Sequence, residues 1–348
     1  MTTKRSIIYN SLPWVTKYQP PTIDSVNIDS LIKKQIEKMI NNKYMPNIIL
    51  VGPPGVGKTS TVRCVAKDMY HKYYNHMVLE MNASDDRGIK VQETINNFLK
   101  VYVHINDDDK KNVAPFKLVI LDEADNMTDK AKHIIAAFLK HNNDTLRFAF
   151  TCNSKVNIIP AIQSSCHIIK YPPLSTKIIK KRLQEICHYE NIINTDTDKK
   201  TLKIIKKGID AISTITNGDM RKSINMLQLT YNRFNVISEQ SVYEIYDKPH
   251  PSLSKEIIID CCNENIGPAL QKIINMRNQG YSGTDIALGL MFALRNDICN
   301  DIPIQLKIEF MKNISYAVYN ISKGLESSML QISACVGDMC FTAKRLTC

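Results

Sequence analysis

The chain has 348 residues, 44% hydrophobic and 23% charged, which is enough for two or three domains with a substantial core and argues against long disorder. Lys and Arg total 45 against 34 Asp and Glu, and the resulting net charge of +11 favours polyanionic partners such as nucleic acid. No apolar run approaches the roughly 20 residues of a membrane span, and the N-terminal stretch lacks a signal-peptide core of about 7–15 apolar residues. The 10 Cys and 8 His are scattered with no C-x-x-C spacing, so an intracellular protein with reduced thiols and no zinc knuckle or disulfide framework is expected.

In chain order, the first apolar run, Asn47–Val51, ends in a Gly/Pro-rich loop followed by a helical pattern from Lys58 to about Tyr74. Four further runs read as strands: Met77–Met81, Lys117–Leu121, Arg147–Thr151 and His167–Tyr171. Strands separated by helices predict a parallel α/β sheet whose ligand groups sit at the carboxyl ends of its strands. After Pro172 and Pro173 the period changes to that of helices, with candidates at 175–190, 198–217 and 219–232 and several more between 252 and 348. The Pro-interrupted stretch Asp247–Pro251 cannot continue a helix, and Gly280–Gly283 reads as a turn. The expected division is 1–173, 174–245 and 246–348.

Gly52-Pro53-Pro54-Gly55-Val56-Gly57-Lys58-Thr59 fits G-x-x-x-x-G-K-[ST] between a strand and a helix, the context that gives this pattern its meaning. Glycines let backbone N–H groups wrap phosphates, Lys58 reaches the β/γ-phosphates and the Thr59 hydroxyl suits a magnesium ion. Asp122 and Glu123 follow a wholly apolar strand: Asp122 is placed to hold the metal through water, and Glu123 to act as general base. An acidic helix cap would explain the pair equally well were there no phosphate loop upstream. Asn153, at the end of the next strand, could orient the nucleophilic water. Arg221 opens a helix in the following domain, from which it could reach back to the γ-phosphate.

Leu12-Pro-Trp-Val-Thr-Lys-Tyr-Gln-Pro20, GPPGVGKT, Asn82-Ala-Ser-Asp-Asp-Arg-Gly88, LDEAD, Thr151-Cys-Asn153, Pro160-Ala-Ile-Gln-Ser-Ser-Cys166 and GDMRKSIN stand in the order seen in replication factor C small subunits. The chain resembles that family over residues from about 11 to 232, and more weakly beyond. The resemblance implies an AAA+ ATPase with a five-stranded parallel P-loop domain, an all-α lid and an all-α collar that joins subunits into a pentamer. Such assemblies use ATP and Mg2+ to open a sliding clamp and close it on primer–template DNA, which implies a location at sites of replication, the nucleus in a eukaryotic cell. It makes Asn153 and Arg221 the two sensors, puts Tyr18 and Pro20 near the adenine, and directs Arg87 to a DNA phosphate, a cation that could equally pair with Asp85 or Asp86. Gln92, Ile95, Phe98 and Leu99 have the Q-x-x-I-x-x-F-L layout of a clamp-binding peptide, although the same spacing describes an amphipathic helix that buries its own face.

The chain departs from the family at three places. Thr16 and Gln19 replace a Glu and an Arg near the adenine. Ser165 stands where QSRC carries the arginine that enters the neighbouring subunit's ATP site. Ala136 and Ala137 stand where a paired arginine is usual. Such a chain is expected to hydrolyse its own ATP but not to complete a neighbour's site, unless another arginine such as Arg147 has taken over. The other readings are a scaffold subunit that does not hydrolyse ATP, which the intact motifs argue against, and a branch-migration DNA motor, against which NASDDRG and the collar pattern weigh.

Overall fold

The computed structural model describes residues 12–83, 89–107, 109, 112–141, 144–193, 198–246, 248–295, 302–324 and 328–347. Five strands, β1 (Ile48–Val51), β2 (Val78–Asn82), β3 (Lys117–Asp122), β4 (Leu146–Cys152) and β5 (His167–Lys170), form one parallel sheet in the order β2-β3-β4-β1-β5. Each lies within one residue, at either end, of the apolar run that predicts it. Parallel strands covered by helices on both faces are apolar throughout, and here alternate residues serve two cores. Ile48, Leu50, Leu118, Ile120 and Ala149 join Ile32 and Ile36 of α1 (Ser30–Asn41) and Val62, Val65 and Met69 of α2 (Lys58–Tyr70). Ile49, Val119, Leu121, Phe148 and Phe150 join Ile95 of α3 (Ile89–Lys100), Ala131, Ile135 and Leu139 of α4 (Asp129–His141) and Ile162 of α5 (Pro160–Ser164).

Helix α2 stops at Tyr70 rather than running to Tyr74, because His71 takes a left-handed φ of 44° that breaks the hydrogen-bond ladder. A 3-10 turn and a single α-turn cover 71–77 instead. The register matters for the site: Val51 pairs with Cys152 and Asn82 with Asp122, so the loop after β1, Asp122 and Asn153 all emerge at the same sheet edge.

Beyond the sheet the chain is helical, as its periodicity predicts: α6 (Thr176–Tyr189), α7 (Lys199–Ile215) and α8 (Met220–Phe234). The short α9 (Glu239–Ile245), which no periodic pattern announces, is capped by the Ser238 hydroxyl, which accepts the Ser241 N–H at 3.1 Å. Pro251 supplies the first residue of α10 (Pro251–Cys262), where its missing N–H costs no hydrogen bond. With α11 (Ile266–Asn278), α12 (Gly283–Arg295), α13 (Ile304–Ser322) and α14 (Ser328–Thr347) it encloses a core containing Ile257, Ile273, Leu290, Phe310, Ile314 and Val336.

Contacts group the described residues into two compact units, one from 1–202 and 212–229 and the other from 203–211 and 230–348. The line between them falls inside α7 and α8, not at the proline-marked breaks. Among the described residues no helix is long and apolar enough to cross a membrane, and the described cysteines are free thiols.

Candidate active site

The loop between β1 and α2 turns on two glycines in the left-handed region, Gly55 at φ 70° and Gly57 at φ 94°. Space as well as conformation requires glycine at 55, since a Cβ there would lie 1.8 Å from Asp219 Oδ1. Asp219 is held at the start of α8: its carboxylate accepts the Lys222 N–H at 2.9 Å, while the Met220 N–H donates to Gly55 O at 3.1 Å. The loop and the N-terminus of α8 are thereby in direct contact.

The first residue of α2, Lys58, is only 8% exposed. Its ammonium donates to Gly52 O at 2.6 Å, Pro53 O at 2.8 Å and Asn153 Oδ1 at 3.2 Å. Burial lowers its pKa from the ordinary lysine value, and the charge of Arg221 adds to that, while Asp122 and Asp125 oppose it. Next to it, the Thr59 hydroxyl donates to both Asp122 oxygens, at 3.0 and 3.1 Å. The same carboxylate accepts the Thr151 hydroxyl and, at 3.1 Å, the Glu123 N–H.

A hydroxyl and a carboxylate in contact beside a phosphate loop are a hard-oxygen donor set that fits Mg2+. Among the described residues no group of three or more His, Cys, Asp and Glu gathers to hold a metal ion.

Glu123 is exposed and adopts a left-handed φ of 53°, unusual for a residue with a side chain, at the entry to a 3-10 turn over Ala124–Asn126. Its Oε2 accepts Asn126 Nδ2–H at 3.3 Å. Lys58, Thr59, Glu123, Asn153 and Arg221 line one cavity with Pro54–Gly57 of the loop, and Tyr18 and Pro20 line it too. Of the predicted nucleotide-site residues all but Gly52 and Pro53 line this cavity, and those two supply carbonyl acceptors for Lys58.

Two residues without a motif support the Tyr18 side of the cavity. Glu190 Oε1, just past α6, receives Lys17 Nζ at 2.7 Å and the Tyr18 hydroxyl at 2.6 Å. Arg182 of α6, which itself lines the cavity, donates to Tyr18 O at 3.0 Å. Tyr18 also stacks on Tyr189, with ring centroids 5.9 Å apart. Charged residues on a helix carry no local signature, so nothing in the sequence points to Arg182 or Glu190.

The remaining predicted sites fare differently. Arg87 lies outside the described residues. In α3, Gln92 is exposed, but Ile95 is fully buried and Phe98 and Leu99 pack against the same sheet-side core. The Q-x-x-I-x-x-F-L spacing here serves a helix that buries its own apolar stripe, Ile95 completely and Phe98 and Leu99 in part. Lys117 reinforces the packing by donating to Phe98 O at 2.6 Å with its ammonium 4.9 Å from the Phe98 ring centroid.

Ser165 is exposed at the end of α5, its hydroxyl satisfied by Ala161 O at 3.0 Å. Ala136 is buried in the sheet-side core, whereas Ala137 faces outward. Arg147, the other arginine considered for that role, is engaged within its own chain. Its guanidinium donates to Met45 O at 3.0 Å and Leu146 O at 3.1 Å and lies 5.3 Å from the Phe116 ring centroid.

Family models and curated relatives agree with this architecture. Residues 48–174 match the family of ATPases associated with various cellular activities (AAA), and residues 249–338 match the replication factor C C-terminal domain. A replication factor C subunit 5 of Dictyostelium discoideum is 36% identical over 343 residues, covering 97% of this chain and 92% of its own. The replication factor C small subunit of Methanococcus maripaludis is 33% identical, covering 94% of this chain and 98% of its own. The solved RuvB Holliday junction branch migration motor of Thermotoga maritima is more distant, with 12% identity and a TM-score of 0.49 over 70% of this chain and 78% of that one. A phosphate-loop sheet of this order, followed by helices that match relatives along nearly their whole length, makes this chain a member of the replication factor C small-subunit family of AAA ATPases.

Proposed function

We propose that this chain is an ATP-hydrolysing subunit of a clamp loader, which helps to open a sliding clamp and place it on primer–template DNA. The observation that carries the reading is the single cavity in which Lys58, Thr59, Asp122, Glu123, Asn153 and Arg221 meet. A scaffold subunit that does not hydrolyse ATP would have no need of that complete set. Residues 1–173 act as the ATPase domain, 174–245 as the lid and 246–348 as the collar of a hetero-pentamer working at sites of DNA replication.

In turnover, the Lys58 ammonium exchanges Gly52 O, Pro53 O and Asn153 Oδ1 for β/γ-phosphate oxygens, and the loop N–H groups wrap the phosphates. Thr59, with Asp122 acting through water, would hold Mg2+, which offsets charge on those oxygens. Asn153, released by Lys58, orients a water. As the water oxygen bonds to the γ-phosphorus, Glu123 takes its proton and the bond to the β–γ bridging oxygen breaks, leaving ADP and phosphate. Arg221 balances the charge that develops on the γ-phosphate.

The test is steady-state ATPase of the co-purified complex with primer–template DNA, with clamp and with both. Full stimulation only by both together is expected, whereas full stimulation by DNA alone would point to a DNA motor instead. Binding of the complex to DNA should require ATP and weaken steeply with salt. Arg87→Ala should lower DNA affinity uniformly across sequences and flatten the salt dependence by about one counterion. Wild-type binding by that variant at every salt concentration would assign Arg87 to an internal ion pair.

A further inference from the structure

We propose that Asp125, which takes part in neither phosphate nor metal binding, is a positioning residue that ties the turn bearing Glu123 to Asn153. The proposal rests on the hydrolytic reading above, and it starts from two facts about one carboxylate. Asp125 Oδ2 accepts the backbone N–H of Asn153 at 3.1 Å. Asp125 Oδ1 is buried with no hydrogen-bond partner.

Asn153 begins the segment after β4, where no strand partner continues the ladder. Its N–H is held across the sheet edge by a side chain from the turn after β3. That turn, Ala124–Asn126, is the one whose entry sets the left-handed backbone of Glu123. Its closing residue, Asn126, donates from its N–H to Glu123 O at 2.9 Å and from its side chain to Glu123 Oε2 at 3.3 Å. The base and the water-orienting amide are therefore fixed to one short rigid turn, Glu123 through its own backbone and Asn153 through Asp125.

A carboxylate used only to close a loop would be expected to satisfy both oxygens, since burying an unpaired polar atom costs about 1–3 kcal/mol. Here one oxygen stays unpaired, and the charge of the carboxylate interacts favourably with the Lys58 ammonium. Asp125 thus holds the backbone of Asn153 while its charge favours the protonated form of the lysine that Asn153 binds. Movement of Asn153 when Lys58 transfers to phosphate is transmitted along this link to the turn that aims Glu123.

The experiment is a double-mutant cycle of Asp125→Ala and Asn153→Ala, reading kcat and, separately, nucleotide affinity by titration with a fluorescent ATP analogue. Asp125→Ala should lower kcat on the order of 10- to 100-fold, the loss expected from misplacing a catalytic group by about 1 Å. Nucleotide affinity should change much less. The double variant should be no slower than Asn153→Ala alone, because both act through one group. Asp125→Asn keeps an oxygen for the amide and should recover most of the rate.

Hydrogen exchange of the 151–154 backbone provides an arm that needs no hydrolysis. It should quicken in Asp125→Ala and not in Asp125→Asn. Should Asp125→Ala fail to fold, Asp125→Ser, polar but too short to reach the amide, takes its place. Additive losses in the cycle, a wild-type kcat in Asp125→Ala, or unchanged exchange at 151–154 would each overturn the proposal. A wild-type complex that does not hydrolyse ATP would instead overturn the functional reading, and the exchange data would still decide whether Asp125 holds Asn153.

Discussion

The nucleotide cavity and the end of α5 belong to the same packed sheet unit, yet they are chemically opposite. The cavity gathers a lysine, a threonine, two carboxylates, an amide and an arginine, several already bonded to one another. At the end of α5, Ser165 is exposed and satisfied within its own helix, and the one outward position of the alanine pair in α4 is the methyl of Ala137. Arg147, from the same half of the sheet, is committed to backbone carbonyls and an aromatic ring. The difference teaches that, on the proposed function, hydrolysis of the chain's own ATP and assistance to a neighbour would rest on different residues of one domain and so be separable.

The largest expected effect probes the bare edge. An arginine supplied in trans is worth about 10³–10⁵ in turnover, and a serine is too short and uncharged to replace it. The isolated chain should therefore show weak ATPase activity that DNA and clamp barely stimulate, even if it self-associates. Co-expression with a finger-bearing partner should restore stimulation, and Ser165→Arg should partly restore it in a self-assembled form. Strong stimulation of the isolated wild-type chain by DNA plus clamp would erase the contrast between the two edges.

Next in size is the cavity itself. Glu123→Gln should keep ATP binding and lose about 10²–10⁴ in rate, the usual worth of a general base. Lys58→Ala should lose binding as well. Unchanged steady-state hydrolysis in Glu123→Gln would remove the base from its assigned role.

The smallest effect is a pH dependence. With its pKa lowered by burial, Lys58 in the nucleotide-free protein loses its proton at a lower pH than an ordinary lysine. Bound phosphate charge favours the protonated form, so ATP binding takes up a proton once the pH rises above that lowered value. Affinity should then fall with increasing pH by at most about tenfold per pH unit, one proton's worth, beginning below the ordinary lysine range. The same linkage makes burial of the ammonium a cost to stability at neutral pH, a cost relieved as the pH climbs through the lowered pKa. Titrations of nucleotide affinity between neutral and alkaline pH would show the fall, and a flat profile would mean that Lys58 stays protonated throughout.

The sequence by itself determined the sheet, the phosphate loop and the ends of the strands that carry Asp122, Glu123 and Asn153. The reason is that each is a local requirement. A strand buried on both faces must be a short apolar run, and a loop that wraps phosphates with its own N–H groups must be contiguous and rich in glycine. Tertiary structure alone decided where longer-range groups act. The apolar spacing of Ile95, Phe98 and Leu99 suits a partner's groove and a protein's own sheet equally well, and only the packing shows that the sheet takes it. Nor does a charged side chain announce whether it meets a backbone carbonyl, a neighbour or water. So the bond from Arg147 to Met45, the support of Tyr18 by Arg182 and Glu190, and the bond from the Asn153 amide to Asp125 became visible only when residues 28 to 172 positions apart were brought within hydrogen-bonding distance.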